Sequence, residues 1–454
     1  MEIFMNWNKA IVAGLLAVTS AFSVTAERVG PVSQYGQLMA GKNSSGKGQI
    51  YGSCKGVQDG AEVQVRGMSL YWSLLPDAME FWTDAGVTTM VNDMKIQIVR
   101  AAMATGTEDW SGSWNGISLK GYTSDPNNQK QFVKTVVEAA IKNDIYVIID
   151  WHSHNAHEQT SNAVAFFSEM AQAYGQYDNV IFEIYNEPTD ISWATIKNYA
   201  NQVVAAIRQY SDNLILVGTR SWDQNPQEVI GNEVSDSEKN TAYTLHYYAN
   251  SHCWDGSYSW GGNCEGTNGL TAMNAGLSVF VSEWGTGNSD GGGSPDVSRN
   301  NSWQEYLNTH KLSWANWSAS KINEGTAAFT SGASATNLQY STSGSLVKGF
   351  LASNPDSYTA CSAEIDTIPD PIFAAPLKQN ISFQKLSGGV QFTLPKSGVT
   401  KVEILDLLGN KRFEETSAKS AGTHFLSTKK LSKGGFLIRI RQQGVTFQTK
   451  FMNL

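Results

Sequence analysis

The feature that most constrains the fold of this chain is a regular alternation of strand-like and helix-like segments between residues 63 and 317. The strand-like segments are apolar and β-branched, and the segments between them have helical periodicity. One of the latter, residues 126–143, has Ser124 and Asp125 as possible caps. Eight strands that alternate with helices favour an α/β fold, a closed (β/α)8 barrel, over an open sheet. The predicted strands are residues 63–68, 96–102, 146–151, 180–186, 214–218, 241–247, 278–283 and 312–317.

The rest of the chain divides into segments of different character. Residues 1–26 are typical of a secretory signal peptide, with Lys9 before an apolar run and small residues before a cleavage point at Ala26. Residues 27–356 are then expected to form the barrel. Residues 357–380 are rich in proline, which predicts a linker. Residues 381–454 hold short strands and glycine-rich turns, which predict a small β-sandwich.

The composition narrows the class of protein. Of the 454 residues 16% are charged, and the net charge is −8, which argues against a nucleic-acid-binding protein. No segment after the signal peptide is long and apolar enough to span a bilayer, so the protein is expected to be secreted, periplasmic or attached to the cell surface. Aromatic residues make up 11% of the chain, which fits either a large core or a cleft that stacks on sugar rings.

Export would allow disulfide bonds, and the chain has four cysteines. Cys253 and Cys264 bracket one loop and are predicted to pair. Cys54 and Cys361 would then connect the two ends of the large domain. No close cysteine pair or cysteine–histidine spacing predicts a zinc site.

Two strand ends carry the residues that indicate chemistry. The run VIFEIYNEP, residues 180–188, begins as a buried strand and ends with Asn186 and Glu187, and SVFVSEWG, residues 278–285, places Glu283 at the end of another strand. Burying a carboxylate at the end of such a strand costs free energy, so its presence there indicates a function. Together the two carboxylates indicate cleavage of a glycosidic bond, with Glu187 as acid/base and Glu283 as nucleophile. The neighbouring anion is expected to raise the pKa of Glu187. The alternative is that either glutamate is a structural ion-pair partner.

Other polar and aromatic residues are predicted at the same ends of the strands. Arg100 would keep a nearby carboxylate ionised, and Tyr248 could hold the nucleophile through its phenol. His152 and His246 could donate hydrogen bonds to sugars or carboxylates, although each could instead belong to the core. The HxH pattern at residues 152–154 occurs in metal sites, but no matching cluster recurs later, so neither a metal nor a cofactor is expected. Candidate sugar platforms, which could also be packing residues, are Trp72, Trp222 and Trp317.

These residues give the chain a resemblance to glycoside hydrolase family 5, in particular to its bacterial endo-β-1,4-glucanases. The resemblance covers residues 30–355 and is most specific at VIFEIYNEPT; RGMS, VRAAM, DWH, LHYYA, SEWG and SWANWS occur in the family's order. It implies that Glu187 is the proton donor, that Glu283 is the nucleophile and that Trp317 is the platform at the sugar being cleaved. The residues that it implies around the two glutamates are Arg100, His152, Asn186, His246 and Tyr248.

Two departures from the family pattern concern contacts with substrate. Many relatives have a histidine shortly after RGMS, where this chain has Leu70, Tyr71 and Trp72, so one of the two aromatic residues could take its place. Lys321 and Glu324 also differ in spacing from a lysine and a glutamate that the family uses beyond the cleavage point.

The C-terminal strands resemble the β-sandwich sorting domains of hydrolases exported by type IX secretion. A carbohydrate-binding module is disfavoured because residues 381–454 contain no tryptophan or tyrosine. The chain is thus expected to be an exported retaining endo-β-1,4-glucanase of cellulose-like or mixed-linkage β-glucans, and its sandwich a possible partner of secretion or cell-surface machinery. The alternatives are a mannanase, xylanase or xyloglucanase on the same barrel, or a non-catalytic glycan-binding surface protein.

Overall fold

The computed structural model describes residues 26–106, 112–256, 263–361, 382–386, 388–394, 398–406, 411–442 and 445–453. Residues 1–25 of the predicted signal peptide and residues 362–380 of the predicted linker lie outside the described residues. Within the described ranges, no helix has the length and apolar character needed to cross a bilayer.

Parallel strands form a closed barrel in the first part of the chain. The strands of residues 26–361 are β1 (Leu38–Lys42), β2 (Gly48–Gly52), β3 (Arg66–Leu70), β4 (Ile98–Ala104), β5 (Gly112–Trp114), β6 (Ile117–Leu119), β7 (Tyr146–His152), β8 (Val180–Glu183), β9 (Ile215–Val217), β10 (Thr241–Thr244), β11 (Tyr247–Tyr248), β12 (Val279–Gly285) and β13 (Trp314–Ala319). They pair in the order β10, β9, β8, β7, β4, β3, β13, β12, β11, and a further pairing of β10 with β12 closes the ring. β10 and β11 both pair with β12 and together count as one strand of the barrel, called here one stave. The barrel therefore has eight strands, and the predicted (β/α)8 barrel is confirmed.

Side chains inside the barrel change from apolar to polar along β4 and β7. In β7, Ile148 packs in the apolar cluster inside the barrel, and Asp150 and His152 follow on the same face towards the carboxyl end. In β4, Ile98 and Arg100 have the same relation. The lower barrel is therefore filled by packing residues, and polar side chains collect at the carboxyl end of the strands.

Helices surround the strands. They are α1 (Pro31–Tyr35), α2 (Gly56–Asp59), α3 (Pro76–Met79), α4 (Asp84–Met94), α5 (Pro126–Lys142), α6 (Thr160–Tyr174), α7 (Trp193–Ile207), α8 (Arg220–Asp223), α9 (Glu265–Asn274), α10 (Val297–Thr309) and α11 (Thr342–Leu351). Of the two predicted caps of α5, Asp125 is the one used, since its Oδ1 accepts a hydrogen bond from Asn128 N at 3.3 Å. One face of this helix buries Val133, Val136 and Ala140 in the main core, which fits the 3.6-residue period of its sequence.

The amino-terminal end of the barrel is covered by the antiparallel hairpin β1–β2. Ala40 N donates to Asn240 Oδ1 at 2.8 Å, and Ser278 Oγ donates to Gln49 O at 2.7 Å. These bonds attach the hairpin to the residues that precede β10 and β12. The carboxyl end of the barrel remains the open one.

Both predicted disulfide bonds are present. Cys54 is bonded to Cys361 with the Cα atoms 6.0 Å apart, and Cys253 is bonded to Cys264 with the Cα atoms 4.9 Å apart. The first bond connects the segment after the hairpin to the segment after α11. The second closes the loop that follows β11, on the side of the barrel where the polar side chains collect.

The C-terminal strands form the predicted β-sandwich. They are β14 (Ser382–Leu386), β15 (Gly389–Leu394), β16 (Gly398–Asp406), β17 (Lys411–Lys419), β18 (Gly422–Ser427), β19 (Gly434–Gln442) and β20 (Val445–Asn453). One sheet has the order β14, β15, β18 and the other β17, β16, β19, β20. Phe392 of the first sheet packs with Ile404 and Ile438 of the second in one apolar core.

Candidate active site

The residues predicted for the site come together at the carboxyl end of the barrel. Arg100 lies in β4, Glu283 in β12 and Trp317 in β13, while His152 ends β7 and Tyr248 ends β11. Asn186 and Glu187 follow β8, and His246 stands between β10 and β11. This is the face at which the loops of such a barrel bind ligands and carry catalytic residues.

An irregularity in β12 lets two successive residues reach the site. The pairing of β12 with β13 shifts register between Val281 and Trp284. Strict alternation would turn Ser282 and Glu283 to opposite faces, whereas both contact residues of the site. Ser282 Oγ donates to Glu183 Oε1 at 2.6 Å, and Glu283 accepts from Tyr248 OH at 2.8 Å. A bulge of this kind re-aims a side chain at the end of a strand.

Arg100 is fully buried and connects several acidic residues of the site. Its Nη1 donates to Glu283 Oε2 at 2.7 Å, and its Nε donates to Glu183 Oε2 at 2.7 Å. Its Nη2 donates to Asn186 Oδ1 at 2.7 Å and lies 2.9 Å from Asp150 Oδ2. A guanidinium held in this way orients the carboxylates and balances charges that would be costly to bury alone. Arg100 thus supports the carboxylates from within the barrel and does not line the open cleft.

Glu187 has an unusual backbone conformation that is fixed by a second acidic residue. Its φ is 52°, in the left-handed region that few non-glycine residues adopt. Its amide donates to Asp223 Oδ2 at 3.0 Å, and Asp223, at the end of α8, is itself left-handed and fully buried. A carboxylate oxygen of Glu187 and one of Glu283 lie within 4.8 Å of each other. The two predicted glutamates therefore face each other across a short gap.

The hydrogen bonds of His246 show where one proton of the site is held. Ser282 has a single hydroxyl proton, which it donates to Glu183, so its 2.8 Å contact with His246 Nε2 must use an N–H of the imidazole. The other nitrogen, Nδ1, lies 3.1 Å from Glu187 Oε1. This contact requires one proton, carried either by the carboxyl or by the ring. Glu187 and His246 therefore hold one proton between them.

Aromatic rings line both sides of the carboxylates. His152 stacks on Trp317 with centroids 5.3 Å apart and an interplanar angle of 3°, and Trp72 meets His152 edge-on at 5.4 Å. On the other side, Trp222 is 45% exposed. It borders a cavity of about 290 Å³ together with Glu187, Gln224, His246, Tyr248, His252 and Ser289. Flat apolar surfaces beside polar groups are suited to binding sugar rings.

Comparison with known proteins decides the family. The family model described as Cellulase (glycosyl hydrolase family 5) matches residues 57–323. The chain belongs to glycosyl hydrolase family 5. Endoglucanase Z of Dickeya dadantii is 43% identical over 266 residues, which are 58% of this chain and 57% of that protein. The chain thus spans little more than half the length of this relative.

Two solved structures show the same fold. One from Cytophaga hutchinsonii is 35% identical, covers 71% of this chain and 96% of its own, and has a TM-score of 0.61. The other is the catalytic domain of Thermobifida fusca endoglucanase Cel5A in complex with cellotetraose. It is 28% identical, covers 72% of this chain and 100% of its own, and has a TM-score of 0.59.

This family 5 chain differs from the family pattern where the sequence indicated. Tyr71 lies 4.8 Å from Trp317, centroid to centroid, and its phenol donates to Glu324 Oε1 at 3.0 Å. Tyr71 therefore packs on Trp317, the predicted platform, and Trp72 packs on Tyr71 with ring centroids 5.9 Å apart. Lys321 is directed elsewhere, since its Nζ donates to Glu80 Oε2 at 2.6 Å. Of the two residues in the altered spacing, only Glu324 contacts the aromatic residues of the site.

The ionisation of Glu187 corrects one expectation from the sequence. Burial raises the pKa of Glu187, but hydrogen bonds with His154 and His246 outweigh burial and hold the pKa below its ordinary value. Burial lowers the pKa of His246, and the neighbouring Asp223 and the two glutamates that contact the ring raise it well above its ordinary value. The expected raised pKa of Glu187 is therefore wrong. The physical reason is that two imidazoles contact this carboxyl group, whereas the sequence indicates only a neighbouring anion.

Three residues that contact Glu183 or Glu187 were not predicted from the sequence to do so. Ser282 was not predicted because strict alternation along β12 would turn it away from Glu283. Asp223 was not predicted because its position depends on a left-handed turn that has no sequence pattern. His154 was visible in the HxH pattern, but its contact with Glu187, 3.3 Å between His154 Nε2 and Glu187 Oε2, depends on the loop after β7. Asp150, which contacts Arg100 and His152, lies two residues before His152, so the alternation along β7 could have indicated it.

Among the residues that the structure describes, two groups of side chains have the spacing of metal ligands. Glu183, Asp223 and His246 each offer an atom within 4.8 Å of the others, and so do Glu187, His246 and Glu283. Both groups include a glutamate that already accepts a hydrogen bond from the Arg100 guanidinium, and a cation would have to compete with that charge. These atoms are better explained as one hydrogen-bonded network. The expectation that no metal or cofactor is needed stays a prediction.

Proposed function

We propose that this chain is an endo-β-1,4-glucanase that hydrolyses cellulose-like or mixed-linkage β-glucans with retention of anomeric configuration. The observation that carries the proposal is the separation of Glu187 and Glu283, whose nearest carboxylate oxygens lie within 4.8 Å. Retaining glycosidases place their carboxyl groups about 5–5.5 Å apart, whereas inverting enzymes need about 6.5–9.5 Å to accommodate a water molecule. Family membership and the endoglucanase names of the relatives support the substrate class.

In the first step Glu283 attacks the anomeric carbon while Glu187 protonates the leaving glycosidic oxygen. The C–O bond to the leaving sugar breaks as a bond to a Glu283 oxygen forms, which gives a covalent glycosyl ester and an alcohol. The proton comes from the one that Glu187 and His246 hold between them. Arg100 and Tyr248 each donate to a different oxygen of Glu283, and these bonds fix the direction of attack.

In the second step water cleaves the ester. Glu187, now deprotonated, accepts a proton from the attacking water, and Glu283 leaves as a carboxylate that Arg100 and Tyr248 again stabilise. Two inversions at the same carbon restore the original configuration. The proton taken from water returns the Glu187–His246 pair to its starting state.

Substrate recognition is proposed to use one unsatisfied donor and several rings. Asn186 Nδ2 is buried and has no hydrogen-bond partner among the described residues, while its Oδ1 is fixed by Arg100. A sugar hydroxyl could accept from this amide, which removes the cost of an unpaired buried donor. Trp317 and Trp72 on one side and Trp222 on the other would hold sugar rings that flank the cleaved bond. The cellotetraose bound to the Thermobifida fusca relative supports a β-1,4-glucan chain as ligand.

We further propose that the protein is exported and that its parts are a signal peptide (1–26), a catalytic barrel (27–356), a linker (357–380) and a sorting-like sandwich (381–454). Support comes from the N-terminal apolar run, the proline-rich segment and the absence of tryptophan and tyrosine after residue 381. Sequencing the N-terminus of the protein recovered from the outside of a host cell tests the first boundary. A mature protein that still begins at Met1 would contradict it.

The reaction and the substrate are tested together with a panel of soluble polysaccharides. We expect mixed-linkage β-glucan and hydroxyethylcellulose to be cut internally, and the first product seen by NMR to be the β-anomer. A product that first appears as the α-anomer would exclude the retaining mechanism. A strong preference for mannan, xylan or xyloglucan would instead overturn the substrate proposal.

The roles of the two glutamates are tested with variants and azide. Glu283→Gln should lose hydrolysis but still bind the oligosaccharide, and an aryl glycoside with a good leaving group should not restore its rate. Glu187→Ala should still cleave that aryl glycoside, because the leaving group needs no proton, and azide should trap the intermediate as a β-glycosyl azide. Hydrolysis that is unaffected by Glu283→Gln would exclude it as nucleophile.

A further inference from the structure

The carboxyl group of Glu187 lies between two imidazoles of different exposure. Its Oε1 is 3.1 Å from Nδ1 of His246, whose side chain is 1% exposed, and its Oε2 is 3.3 Å from Nε2 of His154, whose side chain is 41% exposed. His246 has its second nitrogen bound to Ser282 inside the barrel. His154 faces solvent, so it can exchange protons with water while it contacts the same carboxyl group. The mechanism above uses His246 and leaves His154 without a role.

The position of His154 is fixed by the strand that presents Glu187. Tyr185, two residues before Glu187, donates its phenol proton to His154 O at 3.0 Å. The phenol oxygen of Tyr185 also lies 2.7 Å from His157 Nδ1, and because its own proton goes to His154 O, the imidazole must be the donor in that contact. Tyr185 is fully buried. The loop that carries His154 is thus attached to the segment that carries the carboxyl group.

Several charged and titratable groups act on this contact from neighbouring elements. His246 faces Oε1 of Glu187 from the stave of β10 and β11, and Asp223 accepts from the Glu187 amide at the end of α8. Glu283 lies across the gap on β12, and His152 lies at the end of β7, next to the His154 loop. Among these groups of the described structure, His154 is the titratable one that combines contact with Glu187 and large exposure to solvent.

We propose that His154 is a positioning residue that sets the pH range over which Glu187 can deliver a proton to the leaving oxygen. The inference rests on the proposed function, because it assigns Glu187 the acid/base role. His154 does not need to touch the substrate or the reacting bond. It acts through its charge on the carboxyl group, and its solvent-facing ring connects that charge to the bulk pH.

The sign of the effect follows from the charges. The hydrogen bond to Glu187 raises the pKa of His154, so the ring carries a positive charge over more of the range below neutrality. A cation at Oε2 favours the state in which the Glu187–His246 pair has lost its shared proton, because that state is more negative. The pair therefore loses its proton at a lower pH than it would without His154. Removing the charge should let the acid/base carboxyl group stay active at higher pH.

The test compares the pH dependence of kcat/KM for the full chain and for His154→Gln, which keeps a hydrogen-bond donor but cannot be charged. With a soluble cellooligosaccharide, we expect the basic limb of the profile to move to higher pH by about one unit in the variant. His157→Gln removes from the same loop an imidazole that does not touch Glu187 and keeps a donor for the phenol of Tyr185, so its basic limb should stay with that of the wild type. His154→Asn provides a second uncharged variant and should move the limb in the same direction.

An aryl cellobioside with a dinitrophenol leaving group separates electrostatics from general loss of structure. This leaving group needs no proton, so formation of the glycosyl ester should lose its dependence on protonated Glu187 in both proteins. If the basic limb of His154→Gln on the oligosaccharide coincides with that of the wild type, this inference is wrong and the proposed function still stands. A wild type that hydrolyses no β-glucan would overturn the proposed function and this inference with it.

Discussion

The backbone amide of Glu187 donates a hydrogen bond to Asp223 Oδ2 over 3.0 Å, and both residues have left-handed φ values, 52° and 58°. Asp223 also accepts from Thr219 N through its other oxygen. One buried carboxyl group thus ties the loop after β8 to the loop after β9. Left-handed conformations of non-glycine residues persist only when surrounding contacts hold them. Asp223 is therefore the residue that holds Glu187, the proposed acid/base, in place.

We predict that Asp223→Ala lowers kcat while KM changes little, because the substrate platforms remain and the proton donor loses its position. The loss of a hydrogen bond that leaves a buried amide unpaired costs about 1–3 kcal/mol, which corresponds to a decrease of about 5- to 150-fold. Steady-state kinetics on mixed-linkage β-glucan measure this. Asp223→Asn keeps one acceptor oxygen and should fall between the wild type and the alanine variant. A rise in KM with unchanged kcat would show that Asp223 serves binding instead.

Tyr248 and Tyr247 offer a matched pair of substitutions on adjacent residues. Tyr248 OH donates to Glu283 Oε1 at 2.8 Å, whereas Tyr247 OH is buried without a hydrogen-bond partner among the described residues and its ring stacks on Trp303. Tyr248→Phe should reduce kcat about 10- to 150-fold, since a hydrogen bond to a charged group contributes about 1.5–3 kcal/mol. Tyr247→Phe removes only an unpaired hydroxyl group and should leave kcat within about twofold of the wild type. Equal effects of the two substitutions on kcat would contradict the assigned role of Tyr248.

The regular parts of the molecule could be predicted because local sequence determines them. The eight strands follow from apolar runs, α5 follows from its period and from Asp125, and both disulfides follow from the position of their cysteines. Glu187 and Glu283 could be predicted as site residues because a carboxylate at the end of a buried, apolar strand is costly to bury. The bulge at Ser282 and the left-handed turn at Asp223 depend on contacts between distant segments, which no local pattern encodes.

The same limit explains the error about the pKa of Glu187. The sequence indicates one anion, Glu283, beside Glu187, and such a neighbour favours the protonated form of the carboxyl group. The imidazoles that reverse this effect come from the loop after β7 and from the stave of β10 and β11. His246 was predicted as a residue of the site, but its distance from a particular carboxyl oxygen depends on how the staves are staggered. A pKa depends on distances of a few ångströms, which sequence position does not give.

The two disulfide bonds should differ in their effect on stability. Cys54 and Cys361 are separated by 307 residues in sequence, and Cys253 and Cys264 by 11. If a cross-link acts mainly by restricting the unfolded chain, the first bond contributes about 6 kcal/mol and the second about 3 kcal/mol. Urea denaturation of the two double Cys→Ser variants should therefore show the larger loss in the free energy of unfolding for the 54–361 pair. A larger loss for the 253–264 pair would indicate that local packing of the loop outweighs chain entropy.

His152 should make the protein less stable as the pH falls. Burial lowers the pKa of His152 to about 3, and its ring is enclosed by Asp150, Trp317 and Trp72. In the unfolded chain the same ring takes up a proton near pH 6.5, so its contribution to stability is present above that pH and is lost as the pH falls towards 3. Between pH 6.5 and pH 5 the loss should be about 2 kcal/mol. The measurement is the free energy of unfolding in urea at several pH values for the wild type and for His152→Gln, which lacks a titrating ring. The difference between the two proteins should shrink on acidification, and a difference that stays constant over this range would contradict a neutral His152 in the folded protein.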